Sequence, residues 1–269
     1  MPMAVTKKPK IEINQLQMTF KQNHGRLLNV IDGLDLTVYE GEFICLLGPS
    51  GCGKSTCLNM IGNVDTPTKG EIYINGELLQ PGDRPARVGF VFQSPRLIPW
   101  KTVLKNVRFS LESDGRIAKK EWDERAERAL ELAGVADFKE NFPNQLSGGM
   151  QTRVAIARAL AINPEIILMD EPFSSLDEIT GRRMRGELLS IWERLRPTVV
   201  FITHDMLEAV FLAERVVLLT SRPMRVYTSF AIDVPRPRSY SDEALFHVQK
   251  KVLESFEQMW RETEIPSGA

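Results

Sequence analysis

Cysteine is scarce in this chain, with three residues in 269, at Cys45, Cys52 and Cys57. An odd number at that spacing matches neither a disulfide framework nor a zinc-ligand pattern, so reduced thiols acting as small buried hydrophobes are expected. No run approaches the ~20 apolar residues that a membrane-spanning helix needs. The opening MPMAVTKKPKIEI carries charge but no apolar core, so no secretory leader is expected. A basic excess is missing as well. The net charge is -1, and no nucleic-acid partner is expected from such a balance. There are neither internal repeats nor low-complexity tracts. What remains is ordinary for a globular protein, 43% hydrophobic and 26% charged, in a chain long enough for one large domain or a core with a subdomain. If the protein serves a membrane, it does so through a partner.

The hydrophobic pattern changes character twice. Over residues 11–47 it reads as strands. Ile11, Ile13, Leu16, Met18 and Phe20 alternate with one slip, Leu34, Leu36 and Val38 alternate cleanly, and FICLL (43–47) is apolar throughout, as for a strand buried on both faces. GEIYINGELL (70–79) predicts a short hairpin turning at Asn75-Gly76, and VGFVF (88–92) predicts another buried strand. Residues 102–161 then turn helical. KKEWDERAERALELAGV keeps Trp122, Ala126, Ala129, Leu130 and Ala133 on one side with Gly134 as a stop, RVAIARALAI predicts a second helix, and no strand intervenes. Strands return at EIILMD (165–170), TVVFITH (198–204) and RVVLLT (215–220). The first two are separated by a helix, the pattern of a parallel sheet. After Pro237, residues Leu245, Val248, Val252, Phe256 and Met259 predict an amphipathic tail helix, packed on its own domain or on another subunit.

GPSGCGKS (48–55) is a complete GxxxxGK[ST] loop between a buried strand and a helix. Gly48, Gly51 and Gly53 let the backbone curl so that its N–H groups converge on phosphate oxygens, and the helix N-terminus adds positive potential. The candidate cradle is Gly48, Pro49, Ser50, Gly51, Cys52, Gly53, Lys54, Ser55 and Thr56. Lys54 supplies a point charge for the β- and γ-phosphates, and the Ser55 hydroxyl is a Mg²⁺ ligand. ILMDEP (167–172) supplies acid. Asp170 ends a buried strand, where a carboxylate is costly unless paired or near a metal, and it is read as holding Mg²⁺ directly or through water. Glu171 follows in another direction, placed as a general base for an attacking water; the alternative is a solvated pair of carboxylates at a strand end. A second anion device lies at Ser147-Gly148-Gly149, ahead of a helix expected to begin near Met150. Taken alone it reads first as an ordinary N-cap.

GPSGCGKST, VFQ with Gln93, LSGGMQTR, ILMDEP, SSLD with Asp177 and ITHD with His204 occur in one order. This series resembles the nucleotide-binding ATPase subunit of ABC transporters over residues 10 to 230. LIPWKTVLKNV (97–107), PFSSLDEIT and LTSRPMRV (219–226) are similar to the importer subgroup for nitrate, sulfonates and taurine. The resemblance implies an α/β fold of the P-loop NTPase (RecA-like) type. Its parts would be a mostly parallel sheet, an N-terminal antiparallel β subdomain, an α-helical subdomain inserted at about 94–160, and a tail over 231–269. It implies hydrolysis of ATP with Mg²⁺ by two chains paired head to tail, a homodimer or two different ATPases, the LSGG of one facing the ATP of the other. Ser147, Gly148 and Gly149 would then cap the γ-phosphate bound at the opposite Lys54. Gln93 would touch Mg²⁺ and the attacking water, His204 would bond the γ-phosphate and align Glu171, Asp177 would reach across the dimer, and Phe20 would stack on adenine unless it is a core aromatic. Thr152 stands where the family more often has Gln.

Further implied partners are transmembrane permease subunits at the cytoplasmic face of the membrane and a periplasmic or extracellular substrate-binding protein. Permease docking is expected near Leu97, Pro99 and Trp100, although Leu97 and Trp100 also suit packing inside the helical insert. His24 and His247 lie outside every motif and read as surface residues. An exporter or lipid-trafficking system is the nearest alternative. A soluble ABC-type ATPase of DNA repair or translation would need a long coiled-coil or zinc insertion or a second core, and an ordinary P-loop kinase or GTPase would need an acceptor site or an NKxD motif; none of these is found in the sequence.

Overall fold

A computed structural model describes residues 7–22 and 25–264. The first six residues, which open the stretch read against a leader, and His24 lie outside them. The chain divides into two compact units, one of residues 1–85 and 200–269 and one of residues 86–199.

The first unit opens with two long antiparallel strands, β1 (Pro9–Lys21) and β2 (Leu27–Tyr39). The slip in the alternation of β1 is a β-bulge. The register shifts between Ile13 and Leu16, Gln15 takes φ 47, and its N–H is accepted by Asp35 Oδ1 at 2.7 Å. The extra residue returns Leu16 and Met18 to the buried face. β4 (Lys69–Ile74) pairs antiparallel with β1, and β5 (Glu77–Leu78) closes a hairpin on it; Asn75 and Gly76 have φ 57 and 80, the pair of positive values that a tight hairpin of this twist needs. The second sheet of this unit carries β3 (Phe43–Leu47), wholly buried, parallel to β9 (Arg215–Leu219), with β10 (Val226–Ala231) antiparallel at the edge. β8 (Thr198–Thr203), whose first two residues belong to the second unit, lies on the other side of β3. Glu42, buried beside β3, holds Arg215 through two oxygens at 2.7 and 3.0 Å.

Among the described residues, three α-helices complete the first unit. They are α1 (Lys54–Ile61) after β3, α6 (Met206–Leu212) after β8, and the tail helix α7 (Glu243–Glu264). α7 packs against α6, burying Leu245, Val252 and Met259 at intervals of seven with Val248 and Phe256 half-buried between them, which accounts for the 3–4 spacing of its apolar residues. His247 is exposed on the same helix. Arg236 and Arg238, from the segment before α7, cap the carbonyls at the end of α6. Arg238 donates to the oxygens of Val210, Phe211 and Ala213 at 2.9, 3.0 and 2.7 Å, and Arg236 to that of Leu212 at 2.6 Å.

The second unit contains β6 (Val88–Val91) parallel to β7 (Ile166–Asp170), the helices α2 (Val103–Asp114), α3 (Trp122–Leu132) and α4 (Gly148–Ala161), and α5 (Glu178–Leu195). From 103 to 161 its regular elements are helical, and α2, α3 and α4 pack on one another. The unit is wider than an insert of helices alone, since β6, β7 and α5 fold with them. α4 crosses β6 closely. A Cβ on Gly89 would lie 2.7 Å from the carbonyl oxygen of Ala159. Among the described residues, no helix is long and apolar enough to cross a membrane.

Candidate functional site

The loop at Gly48–Gly53 sits where β3 ends beside β9. A Cβ at Gly48 would come within 3.0 Å of the Leu219 oxygen, and one at Gly53, whose φ is 127, within 2.8 Å of Val30 Cγ1. Glycine is therefore required by its backbone at Gly53, and a Cβ at Gly48 would fit only if Leu219 gave way. Pro49–Cys52 forms a turn closed by a 3.4 Å bond from the Cys52 N–H to the Pro49 oxygen, with Gly51 at φ 74. Lys54 is only 5% exposed and folds back on the loop, donating Nζ–H bonds to the oxygens of Gly48 at 2.7 Å and Pro49 at 2.8 Å. The carbonyls are thus taken by a cation, while α1 begins at Lys54 with no side-chain cap on its first N–H groups. An uncapped helix N-terminus with a buried ammonium beside it is a concavity of donors, which fits a phosphate chain. Ser55 is exposed on the first turn, and its hydroxyl bonds to no other described residue, so this oxygen suits a hard cation. Ser50 is exposed and Thr56 half-buried.

The three thiols are free and buried. Burial pushes Cys45, Cys52 and Cys57 above the ordinary thiol value, Cys57 to about 12, so all are protonated at neutral pH. Phe20 lies near the end of β1 opposite Leu28 and is 38% exposed, so it is not a core aromatic. His204 is exposed directly after β8, and the next residue, Asp205, caps α6 by accepting the N–H groups of Leu207 and Glu208 at 2.8 and 3.2 Å.

In the second unit, β7 is buried up to Met169, and Asp170 and Glu171 are half-buried at its end. Glu171 takes φ 43, the left-handed region that costs a residue with a Cβ about 1–2 kcal/mol. Its carbonyl accepts the N–H and hydroxyl of Ser174 at 3.2 and 2.9 Å. Gln93 is exposed, two residues beyond β6. The loop that follows it is gripped from α4, where Arg158 donates to the oxygens of Pro95 and Arg96, both at 2.8 Å. Arg158 belongs to no motif, and its partners lie some sixty residues back, so the sequence carried no signal for it. Trp100 is 77% exposed, which removes it from the packing of the helices.

The helix after LSGG starts earlier than the sequence suggests. Gly148 is its first residue, and Ser147 is the N-cap, its Oγ accepting the Met150 N–H at 3.4 Å. Glycine is a poor helix former, but the Ser147 cap and the bonds from Gln151 Nε2 to the oxygens of Pro143 and Leu146, at 3.0 and 3.2 Å, hold the first turn. Thr152 is buried and donates back to the Gly148 oxygen. A Cβ on Gly149 would lie 3.3 Å from Thr180 Cγ2, so the N-termini of α4 and α5 meet here. α5 is capped by Asp177, which accepts the Thr180 N–H at 3.0 Å, and this bond holds its exposed carboxyl below the usual value. Thus Ser147, Gly148, Gly149 and Asp177 are brought together in one unit, and the Lys54 loop and His204 belong to the other.

The profile of the ABC transporter family matches residues 31–174. The aliphatic sulfonates import ATP-binding protein SsuB of Bacillus cereus is 37% identical over 250 residues, 92% of this chain and 96% of that protein. The nitrate import ATP-binding protein NrtD of Synechocystis is 43% identical over 226 residues, 84% of this chain and 83% of that one. Among solved structures, the ATP-binding cassette MJ0796, in a dimeric post-hydrolysis state with ADP and phosphate, aligns with a TM-score of 0.74 at 37% identity, covering 84% of this chain and all of that one.

Proposed function

The chain belongs to the ABC transporter ATP-binding family, and from that premise we propose that it powers import of a small organic or inorganic anion such as nitrate, a sulfonate or taurine, as one of two ATPase chains that share each bound ATP. It is an ATP-hydrolysing transporter subunit with the α/β fold of an ABC cassette. The observation that carries the reading of the site is the Lys54 loop, in which the carbonyls of Gly48 and Pro49 are occupied by the ammonium while the α1 N–H groups lack a cap.

In this reading the N–H groups from Gly51 to Thr56, with Lys54, bind the β- and γ-phosphates, and Phe20 covers the adenine. Catalysis is mainly positioning and electrostatics, as for phosphoryl transfer generally. Glu171 accepts a proton from water as its oxygen attacks the γ-phosphorus. The bond to the β-γ bridging oxygen breaks, leaving ADP and inorganic phosphate. His204 donates to a γ-phosphate oxygen and keeps Glu171 and the water aligned. Ser55, Asp170 and Gln93 are the residues that would hold Mg²⁺, which would supply positive charge against the charge developing on the phosphates. Ser147 and the N–H groups of Gly148 and Gly149 complete the γ-phosphate site of the opposite chain, and Asp177 reaches across the pair.

In this reading the movement of pairing passes to permease subunits near Leu97, Pro99 and Trp100, which is exposed, and the protein works at the cytoplasmic face of the membrane. The anion itself is delivered by a separate substrate-binding protein. The import class rests on likeness to the sulfonate and nitrate importer proteins. Lys54→Ala is the direct test of the nucleotide site, because it should lose ATP binding and hydrolysis together. Wild-type turnover in that variant would overturn the assignment.

A further inference from the structure

We propose that Arg222, at the tip of the turn joining β9 to β10, is a positioning residue that locks the phosphate loop in its nucleotide-binding form; the proposal rests on the reading of that loop given above. Arg222 donates from both Nε, at 3.1 Å, and Nη2 to the carbonyl oxygen of Gly51, 171 residues away in sequence. With Lys54 on the oxygens of Gly48 and Pro49, three carbonyls of the loop each end on a cationic N–H. A carbonyl swung into the concavity would set its negative end against phosphate, so holding these oxygens on cations keeps the cradle a surface of donors.

Gly51 is the residue where such control matters most. At φ 74 and without a Cβ, it has many accessible conformations to lose. Its neighbours are anchored already: Gly48 is confined by Leu219, Gly53 by Val30, and Lys54 is buried. Arg222 supplies the missing anchor, and its own turn is held firmly. Met224 donates its N–H to the Val30 oxygen at 2.8 Å, and the Asp32 N–H returns to the Met224 oxygen at 3.3 Å. Arg225 pairs with Asp32, and Thr220 Oγ1 accepts the Arg225 N–H at 2.9 Å. The guanidinium therefore projects from a braced hairpin, not from a loose loop. Its charge is felt in the loop, where it opposes the rise that burial imposes on the Cys52 thiol.

Pre-ordering the loop should raise affinity for any ligand bearing the β-phosphate, ADP as much as ATP, without a direct part in hydrolysis. The test is nucleotide affinity of the full chain by displacement of a fluorescent ADP analogue, together with steady-state kinetics. Arg222→Ala should raise the Kd for ADP and for ATP by the same factor, about five- to tenfold. KM should rise with them while kcat falls less than about twofold. Arg222→Lys, which keeps the charge and one bond, should recover part of the loss. The nucleotide-free melting temperature should stay within about 2 °C of wild type, because the side chain is exposed. Wild-type ADP affinity in Arg222→Ala overturns the proposal, as does a loss confined to kcat. If Lys54→Ala loses affinity and Arg222→Ala does not, the Arg222 assignment fails and the nucleotide site stands. If neither loses it, both fail.

Discussion

Replacing Glu171 separates chemistry from backbone strain in a single set of variants. Glu171 stands at φ 43 at the end of β7, a conformation that glycine adopts freely and alanine does not. A residue with a Cβ there costs about 1–2 kcal/mol, while glycine costs about 0.5–1 kcal/mol in backbone entropy. Comparing Glu171→Ala with Glu171→Gly cancels the loss of every contact beyond Cβ. The remaining difference favours glycine by about 0.5–1 kcal/mol. For a chain of this size that is a rise in melting temperature of roughly 1–4 °C, read by calorimetry on nucleotide-free protein. All of the variants, including the near-isosteric Glu171→Gln, should lose about 10²–10⁴-fold in ATP turnover if the carboxylate is the general base. Glu171→Gln should still bind ATP and accumulate as an ATP-bound dimer. The glycine variant would then be better folded and inactive, a sign that strain at this position is retained for function. A glycine variant that melts below the alanine variant refutes the strain argument. Near wild-type turnover in Glu171→Gln refutes the base.

Other consequences are independent of that one. Arg238 is 8% exposed and its guanidinium also reaches the oxygens of Ile232 and Val234, so Arg238→Met strands buried carbonyls at the end of α6 and should cost about 2–4 kcal/mol, a fall of roughly 5–15 °C in melting temperature. Burial pushes this guanidinium down to about 10, so the clamp stays charged at neutral pH, and a loss under 2 °C would refute its role. Gly89→Ala forces a Cβ within 2.7 Å of the Ala159 oxygen and should destabilise by about 1–3 kcal/mol through separation of β6 from α4; unchanged stability in urea would contradict that packing. The thiols should resist an aromatic disulfide reagent at pH 8 and react only on unfolding. Because the folded values are raised, the thiols' contribution to stability is complete below their ordinary value of 9.0 and declines as pH rises from there toward 12, the value for Cys57. Rapid labelling of the native chain at pH 8 would refute the burial.

Local pattern carried much of this fold because the buried strands announce themselves. FICLL, VGFV and IILMD lie within a residue of the apolar runs, and the single slip in the first strand was the bulge at Gln15. β10 was missed because VYTSFA is a half-exposed edge strand with polar residues and no clean alternation. α2 lies inside the stretch that reads as helical, but its bounds went unassigned although Val103, Val107 and Leu111 mark one face and Thr102 caps it. In the site, motif spacing pointed to Lys54, Ser147, Asp170 and Glu171, since each sits on a strand end or helix start that the pattern reveals. The arginines that brace these elements were not legible. Arg158, Arg222 and Arg238 act by donating to backbone carbonyls, and a carbonyl has no residue type by which a sequence can identify it.

The central claim is that each ATP is completed by a serine-glycine helix start from another chain. It is tested most directly by mixing a Lys54→Ala chain with a Ser147→Glu chain and measuring ATP hydrolysis. Each variant alone should be inactive. Random pairing puts one intact composite site into about half of the dimers, so the mixture should regain up to about a quarter of the wild-type rate. Full activity of Ser147→Glu alone, or a mixture no more active than its parts, would contradict the account.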